Sequence, residues 1–176
     1  MSPNSAKEKK RDSDAHQVKK GNTWHFGYKA HVGVDRESGL VHTVEATAAN
    51  VHDVTETSKL LTGDEDEVYG DSGYPGAEKC EDAVVENKSG RKIRYKINHR
   101  PSRIKKLSKE DQAVAKEAEH AKSSVRAKVE HVFGVVKKQL RSRKTRYRGL
   151  EKQKAKFNIV FALANLILAD RPCLAA

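Results

Sequence analysis

Two stretches near the start of the sequence alternate apolar and polar residues, and this pattern limits the fold most. Residues 24–34 read WHFGYKAHVGV, and residues 40–46 read LVHTVEA. A period of two is typical of strands with one buried face. The residues between them, DRESG, have turn chemistry, so the two stretches are expected to pair as a β-hairpin.

The rest of the sequence predicts further strands alternating with helices. Asn50 or Asp53 is expected to cap the first helix, and Ser108 to cap a long helix that ends near Leu140. The order of elements predicts an α/β fold, a mixed sheet with covering helices. The other predicted elements are a helix at 50–61, strands at 67–70 and 91–98, and a last helix at 150–170.

The charge of the chain favours a polyanionic partner. The 176 residues contain 35 Lys and Arg against 24 Asp and Glu, a net charge of +11. Neutralisation of phosphates drives nucleic-acid binding, so DNA or RNA is expected as the partner. Residues 1–23 are polar and lysine-rich and predict a flexible basic arm, which leaves 24–170 as the folded core and 171–176 as a tail.

Membrane insertion and metal binding by cysteine are not expected. The longest apolar run, residues 157–169, is interrupted by Asn158 and Asn165 and is shorter than the roughly 20 residues of a membrane span. It predicts a buried helix instead. Cys80 and Cys173 have no metal-ligand spacing, which is typical of reduced thiols in a cytoplasmic protein.

Glu130 is the one carboxylate in the basic stretch VRAKVEHVFGVVKK, residues 125–138. Residues four apart share a helix face, so Arg126 and Glu130 are neighbours, and Lys137 follows on nearly the same stripe. The opposite stripe of valines (Val125, Val129, Val132 and Val136) should face the core. Two interpretations stay open: a solvated ion pair contributing about 0.3–0.5 kcal/mol, or a functional acid in a cleft.

Asp71 follows a predicted short strand in the segment DSGYPG. It can be an ordinary turn aspartate, because Asp favours turns, or a ligand-binding residue at a strand end. A strand-end Asp and a helix Glu in a basic protein together suggest carboxylates that hold Mg²⁺ near DNA phosphate. Two such ions, roughly 3.5–4 Å apart, can activate a water and stabilise the leaving oxygen.

The sequence resembles the DDE transposases of bacterial insertion sequences. Arg126, Glu130 and Lys137 match the Arg-x3-Glu-x6-Lys signature of that family, although Ser123 stands at its tyrosine position. Asp71 to Tyr74 match its Asp-x-Gly-Tyr motif. The phrases KKGNTWHFGYKAHVGVD, LVHTVEATAANVHD and RYRGLEKQKAKFNIVFALANL are also similar, so the resemblance covers nearly the whole chain.

The resemblance implies an RNase H-like catalytic core that cleaves and joins DNA with two Mg²⁺ or Mn²⁺ ions. Asp71 and Glu130 would be catalytic metal ligands, and Arg126 and Lys137 would orient the glutamate and hold DNA phosphates. The expected partner is DNA, at transposon ends and target, in the bacterial cytoplasm and nucleoid. The candidate DNA-binding residues are Arg126, Lys137, Lys138, Arg141, Arg143, Arg146 and Arg148, with the alternative that the loop 141–149 is merely solvated.

The first catalytic Asp of the family has no clear counterpart. It lies on the first, central strand, upstream of a basic segment that resembles residues 7–21, and here this segment begins almost at Met1. Asp12, Asp14 and Asp35 are weaker alternatives. The resemblance therefore implies a truncated core with two of three ligands and two open strand edges. Such a chain is expected to be inactive alone, to bind an N-terminal transposase fragment or a second copy, or to be an inactive DNA-binding remnant or inhibitor of intact transposase.

Overall fold

A three-stranded antiparallel sheet is the first part of the fold. The computed structural model describes residues 11–169. Strand β2 (Thr23–Val34) lies in the middle, between β1 (His16–Lys20) and β3 (Val41–Ala48). β1 pairs with the first part of β2, and β3 pairs with the rest. The predicted hairpin is therefore confirmed.

A separate parallel pair of strands and the helices complete the chain. Strand β4 (Glu67–Gly70) pairs in parallel with β5 (Arg94–Ile97). This mixed α/β arrangement is consistent with the predicted RNase H-like fold. The helices are α1 (Thr57–Leu60), α2 (Pro101–Ile104), α3 (Lys109–Gly134) and α4 (Leu150–Ala169), with 3-10 turns at Asp53–Glu56 and Ala77–Lys79 and a π-helical turn at Val135–Gln139.

Helix α3 joins the two sheets. Ser108 caps it as predicted, since its side chain accepts a hydrogen bond from the N–H of Asp111 at 3.1 Å. Lys122 donates to the carbonyl of Ile97 in β5, and Lys128 donates to the carbonyl of Glu37 in the hairpin turn. Because both sheets are attached to one rigid helix, the position of each is fixed relative to side chains on α3.

The hydrophobic core lies between helices α3 and α4 and the face of the first sheet. Val132, Phe161 and Ala164 are buried, and the rings of Phe133 and Phe161 meet edge to face at 5.7 Å. Val41 adds the sheet to this cluster. In residues 11–169, no helix has the length and apolarity needed to cross a membrane.

Three predictions of local structure need correction. Residues 16–20, placed in the predicted flexible arm, form β1, because a strand can gain backbone hydrogen bonds by pairing with β2 whatever its side chains. The helix predicted at 50–61 is reduced to a 3-10 turn and α1, and neither Asn50 nor Asp53 caps it. Residues 1–10 of the predicted arm and the tail 171–176 lie outside the described residues.

A cleft of about 780 Å³ separates the two sheets. Arg36, just after β2, donates to Glu67 at the start of β4 at 3.0 Å. Lys29, in the middle of β2, binds Asp53, which lies near Gly73 beyond the end of β4. Strands β2 and β4 therefore run in opposite directions along the two sides of the cleft.

The backbone of each strand presents hydrogen-bonding groups to this cleft. The backbone carbonyls of Asp66 and Gly70 accept hydrogen bonds from the N–H groups of Arg94 and Asn98, at the two ends of β5. Successive residues of a strand bond to opposite sides, so Tyr69 points its N–H and C=O away from β5. The carbonyl of Gly27 accepts from Ala49 at the end of β3, so the alternate β2 residue Val32 points its groups away from β3. Both sides of the cleft thus carry backbone groups of the kind that pair with a further strand.

The packing of α3 can be tested with two valines of that helix. Val132 is fully buried, whereas Val114 is 70% exposed. We expect Val132→Ala to lower the free energy of unfolding by about 2 kcal/mol, because two buried methyl groups leave a cavity. Val114→Ala should change it by less than about 0.5 kcal/mol. Chemical denaturation measures both, and equal losses would contradict the placement of the core.

Candidate functional site

Asp71 lies at the carboxyl end of β4, and the backbone around it fixes its carboxylate. The N–H of Gly73 donates to Oδ1 of Asp71 at 2.6 Å. A Cβ at position 73 would lie 2.8 Å from that same oxygen, so a larger residue there would displace the carboxylate from this position. The Asp-x-Gly spacing therefore holds one carboxylate oxygen in place and leaves Oδ2 to face the cleft.

Asp71 and Glu130 converge on the guanidinium group of Arg126. Nη2 of Arg126 lies 3.5 Å from Oε1 of Glu130 and 3.9 Å from Oδ2 of Asp71. Glu130 and Asp71 are 73% and 48% exposed, so both carboxylates are accessible from the cleft. Two acids from a strand end and from a helix thus share one positive group, and the ion pair within α3 is part of a larger cluster.

Asp53 is a third acid beside this pair, and the sequence analysis missed its role. Instead of capping a helix, it accepts from Nζ of Lys29 at 2.9 Å and lies 3.9 Å from Nδ1 of His31. A Cβ added to Gly73 would be 3.8 Å from Oδ2 of Asp53, which places this carboxylate close to Asp71. One signal of this pairing is present in the sequence: Lys29 and His31 lie on one face of the predicted strand. A lysine whose side chain is largely buried needs a partner of opposite charge.

Tyr74 completes the floor of the cluster. Burial, followed by the negative charges of Asp53 and Asp71, raises the pKa of Tyr74 to about 12. Its phenol therefore stays protonated at neutral pH. At the opposite end of the cleft, hydrogen bonds from Lys96 and Tyr69 lower the pKa of Glu67 to about 2, so Glu67 remains ionised.

The predicted basic residues fall into three places. Arg126 lines the acidic cleft, whereas Arg143, Arg146 and Arg148 line a second cavity of about 870 Å³. Lys137, Lys138 and Arg141 are exposed and belong to the lining of neither cavity.

Lys137 lies within the π-helical turn Val135–Gln139 that follows α3. Its Nζ lies 5.3 Å from the ring centre of Phe133, one turn earlier. The expectation that Lys137 follows Glu130 on nearly the same stripe stays a prediction.

The three alternative positions for a first aspartate have other partners. Asp12 accepts from the hydroxyl of Tyr28 and the N–H of Gly149, and Asp14 accepts from the N–H of Leu150 at the start of α4. Asp35 accepts from the backbone of the hairpin turn. Asp12 and Asp14 therefore stabilise the N-terminus of α4, and neither lines the cleft with Asp71 and Glu130.

The donor atoms of the cluster fit a hard divalent ion in kind. Mg²⁺ and Mn²⁺ prefer carboxylate oxygens, and Asp71 and Glu130 point theirs toward one point. Within residues 11–169, however, no three His, Cys, Asp or Glu side chains are arranged as a complete metal site. The guanidinium group of Arg126 is the positive charge beside these two carboxylates.

Comparison with protein families agrees with this geometry. Residues 4–166 match the family model described as the transposase DDE domain. The chain belongs to the DDE transposase family. No solved structure matches it. DDE transposases act on DNA and generally use divalent metal ions.

His31 gives this DDE transposase fold a testable dependence on pH. His31 is buried, its Nε2 lies 2.8 Å from Oγ1 of Thr47, and burial lowers its pKa below the usual 6.5. The unfolded chain then binds a proton at higher pH than the folded chain, so the stability that neutral His31 contributes is complete above about pH 6.5 and declines as the pH falls.

We expect the free energy of unfolding to fall between pH 6.5 and pH 5 by up to about 1.4 kcal/mol per pH unit. His31→Gln, which can still pair with Thr47, should flatten this part of the profile. Carboxylates with lowered pKa, such as Asp12 and Glu65, act at lower pH and do not interfere. Denaturation curves at pH 5 to 8 provide the measurement, and a flat parent profile would contradict the assignment.

Proposed function

We propose that this chain is the catalytic-core part of an insertion-sequence transposase, acting on DNA in the bacterial cytoplasm. It would contribute two of the acids that hold metal ions during phosphodiester cleavage and strand transfer. The observation that carries this proposal is the shared contact of Asp71 and Glu130 with Nη2 of Arg126. Asp71 and Glu130 are 59 positions apart in the sequence. Each lies in a local segment that matches a motif of the family.

The two acids would have different roles in holding the ions. Gly73 fixes Oδ1 of Asp71, so its Oδ2 is the oxygen available to a cation. Glu130 is attached to a rigid helix and is the more exposed, so it can adjust its side chain to the ion. A bound Mg²⁺ or Mn²⁺ would supply Lewis-acid stabilisation of the charge on a transferring phosphate. Binding it requires the guanidinium group of Arg126 to leave the carboxylates, after which Arg126 can hold a DNA phosphate.

The remaining basic residues would position DNA without reading its sequence. Arg143, Arg146 and Arg148 line one cavity, and Lys137, Lys138 and Arg141 are exposed before it. Arginine side chains bind phosphate oxygens with two parallel hydrogen bonds, which suits a DNA backbone.

The third acid would be supplied by a strand of an N-terminal transposase fragment. This proposal is supported by the cleft between β2 and β4, which run in opposite directions and present backbone groups to it. A strand parallel to β4 would be antiparallel to β2, so both edges could pair with it. Its carboxyl end would then lie beside Asp71.

Metal binding tests the proposed roles of Asp71 and Glu130. We expect Asp71→Asn and Glu130→Gln each to weaken Mn²⁺ binding at least tenfold, because each removes one charged oxygen ligand. Titration of Mn²⁺ followed by electron paramagnetic resonance measures this in the absence of DNA. Asp82→Asn is a matched control, since Asp82 is exposed and lies outside the cleft lining.

The outcome also separates the enzyme from its alternative. Nicking of transposon-end DNA in Mn²⁺, with the N-terminal fragment added, should be lost in both variants and kept in the control. If Mn²⁺ binds equally to all variants and no nicking occurs although DNA is bound, the chain is an inactive DNA-binding remnant or an inhibitor of intact transposase.

Strand insertion makes a separate prediction about stability. We expect the N-terminal fragment, added at 100 times its dissociation constant, to stabilise the chain by about 2.7 kcal/mol. A fragment with the same composition in scrambled order is the control. Thermal unfolding measures the shift. Equal midpoints with both fragments would count against strand insertion, and would leave the metal-binding test unaffected.

A further inference from the structure

The exposed aromatic side chains are concentrated on one surface. Among residues 11–169, the aromatic side chains with large exposure are those of Trp24, Phe26 and Tyr147, which are 63%, 49% and 53% exposed. Trp24 and Phe26 are two apart on β2 and share one face of it. Exposed aromatic surface is unfavourable in water, so its concentration indicates a binding surface.

This surface borders the second cavity, which we name the basic-aromatic groove. Strand β2 forms one wall and the loop 143–148 forms the other, and a Cβ on Gly27 would lie 3.4 Å from Oγ1 of Thr145 across this contact. The groove contains Phe26 and Tyr147. Its charged lining residues are Arg11, Asp12, Lys20, Lys29, Arg143, Lys144, Arg146 and Arg148.

The groove is strongly positive because seven Lys and Arg side chains line it beside one carboxylate, Asp12. Asp12 accepts from the hydroxyl of Tyr28 at 2.6 Å and from the N–H of Gly149 at 3.0 Å. The guanidinium carbon of Arg11 lies 6.0 Å from the centre of the Phe26 ring, so cationic and aromatic groups are adjacent. Among the described residues that line the groove, Asp12 is the one carboxylate that opposes these positive groups.

The groove is connected to the acidic cleft by one ion pair. Lys29 lines the groove, and its Nζ lies 2.9 Å from Oδ1 of Asp53, which lines the cleft with Asp71 and Glu130. The lining of the groove and the lining of the cleft are therefore in contact at this ion pair. This connection indicates that groove and cleft receive parts of the same polymer.

We propose that the basic-aromatic groove binds an unpaired strand of DNA, with bases stacked on Phe26 and Tyr147 and phosphates on Arg146 and Arg148. Duplex DNA covers the faces of its bases, so an aromatic side chain gains stacking energy mainly from unpaired nucleotides. Binding of phosphates alone would need the arginines but no exposed rings. The inference rests on the proposed function and deepens it, because it names a single-stranded segment as the DNA that is led to the acids.

The experiment measures binding of a fluorescent 15-nucleotide strand, alone and as a duplex, to the full chain in EDTA. We expect Phe26→Ala and Tyr147→Ala each to weaken single-strand binding about tenfold, with less than a twofold change for the duplex. Phe26→Trp and Tyr147→Phe should retain single-strand binding. Arg146→Gln should weaken both forms and lower the salt dependence by about one phosphate contact.

Two controls match these variants. Val114→Ala removes an exposed apolar side chain from α3, and Arg103→Gln removes a charge from outside the groove. Both should bind the single strand within twofold of the parent. If an alanine variant unfolds more easily, Phe26→Leu or Tyr147→Leu replaces it, since each keeps apolar volume but removes the ring. Each should weaken single-strand binding about tenfold.

The proposal is overturned if the alanine variants bind the single strand as tightly as the parent, whatever the arginine variant does. In that case the groove would bind backbone only. The Mn²⁺ titration of Asp71→Asn and Glu130→Gln tests the proposed function without DNA. The aromatic variants test the groove without metal ions, so the two proposals can fail separately.

Discussion

The arrangement depends on one electrostatic constraint, the sharing of a guanidinium group between two distant carboxylates. Asp71 belongs to the end of β4 and Glu130 to α3, and they meet at Arg126 because α3 holds both sheets. Like charges placed this close repel each other, and Asp53 adds a third. Arg126 and Lys29 offset this repulsion when no metal is bound. A metal ion held there, as proposed, would compete with these positive groups for the same carboxylates.

The second constraint is the division of the sheet. Strands that face each other in opposite directions, each with backbone groups directed into the gap, favour insertion of another strand. Arg36 pairs with Glu67 across one end of the gap, and Lys128 holds the hairpin turn to α3. These polar contacts keep the two sheets at a fixed separation without a strand between them. The cleft is therefore a consequence of where α3 attaches, and the acids lie at one end of it.

The elements with strong periodicity could be predicted from the sequence, and those that depend on distant partners could not. The hairpin and α3 follow from alternation and from the cap at Ser108. β1 was missed because its residues are polar, and its pairing with β2 supplies what its side chains lack. The metal-ligand candidates Asp71 and Glu130 were found by motif spacing. The ion pair of Asp53 was missed because an acid before a helical turn usually caps that turn. Here Asp53 instead pairs with Lys29, 24 residues earlier in the sequence.

The sequence by itself determined the residue types, the local elements and the family, because these depend on spacing along the chain. It fixed an aspartate after a short strand, a glutamate four residues after an arginine, and a large positive charge. Only the tertiary structure decided which acids meet. The contact of β2 with the loop 143–148 creates a groove beside Phe26 and Tyr147. The contact between β2 and this loop joins residues more than a hundred positions apart in the sequence. A local sequence pattern carries no information about the distance between them in space.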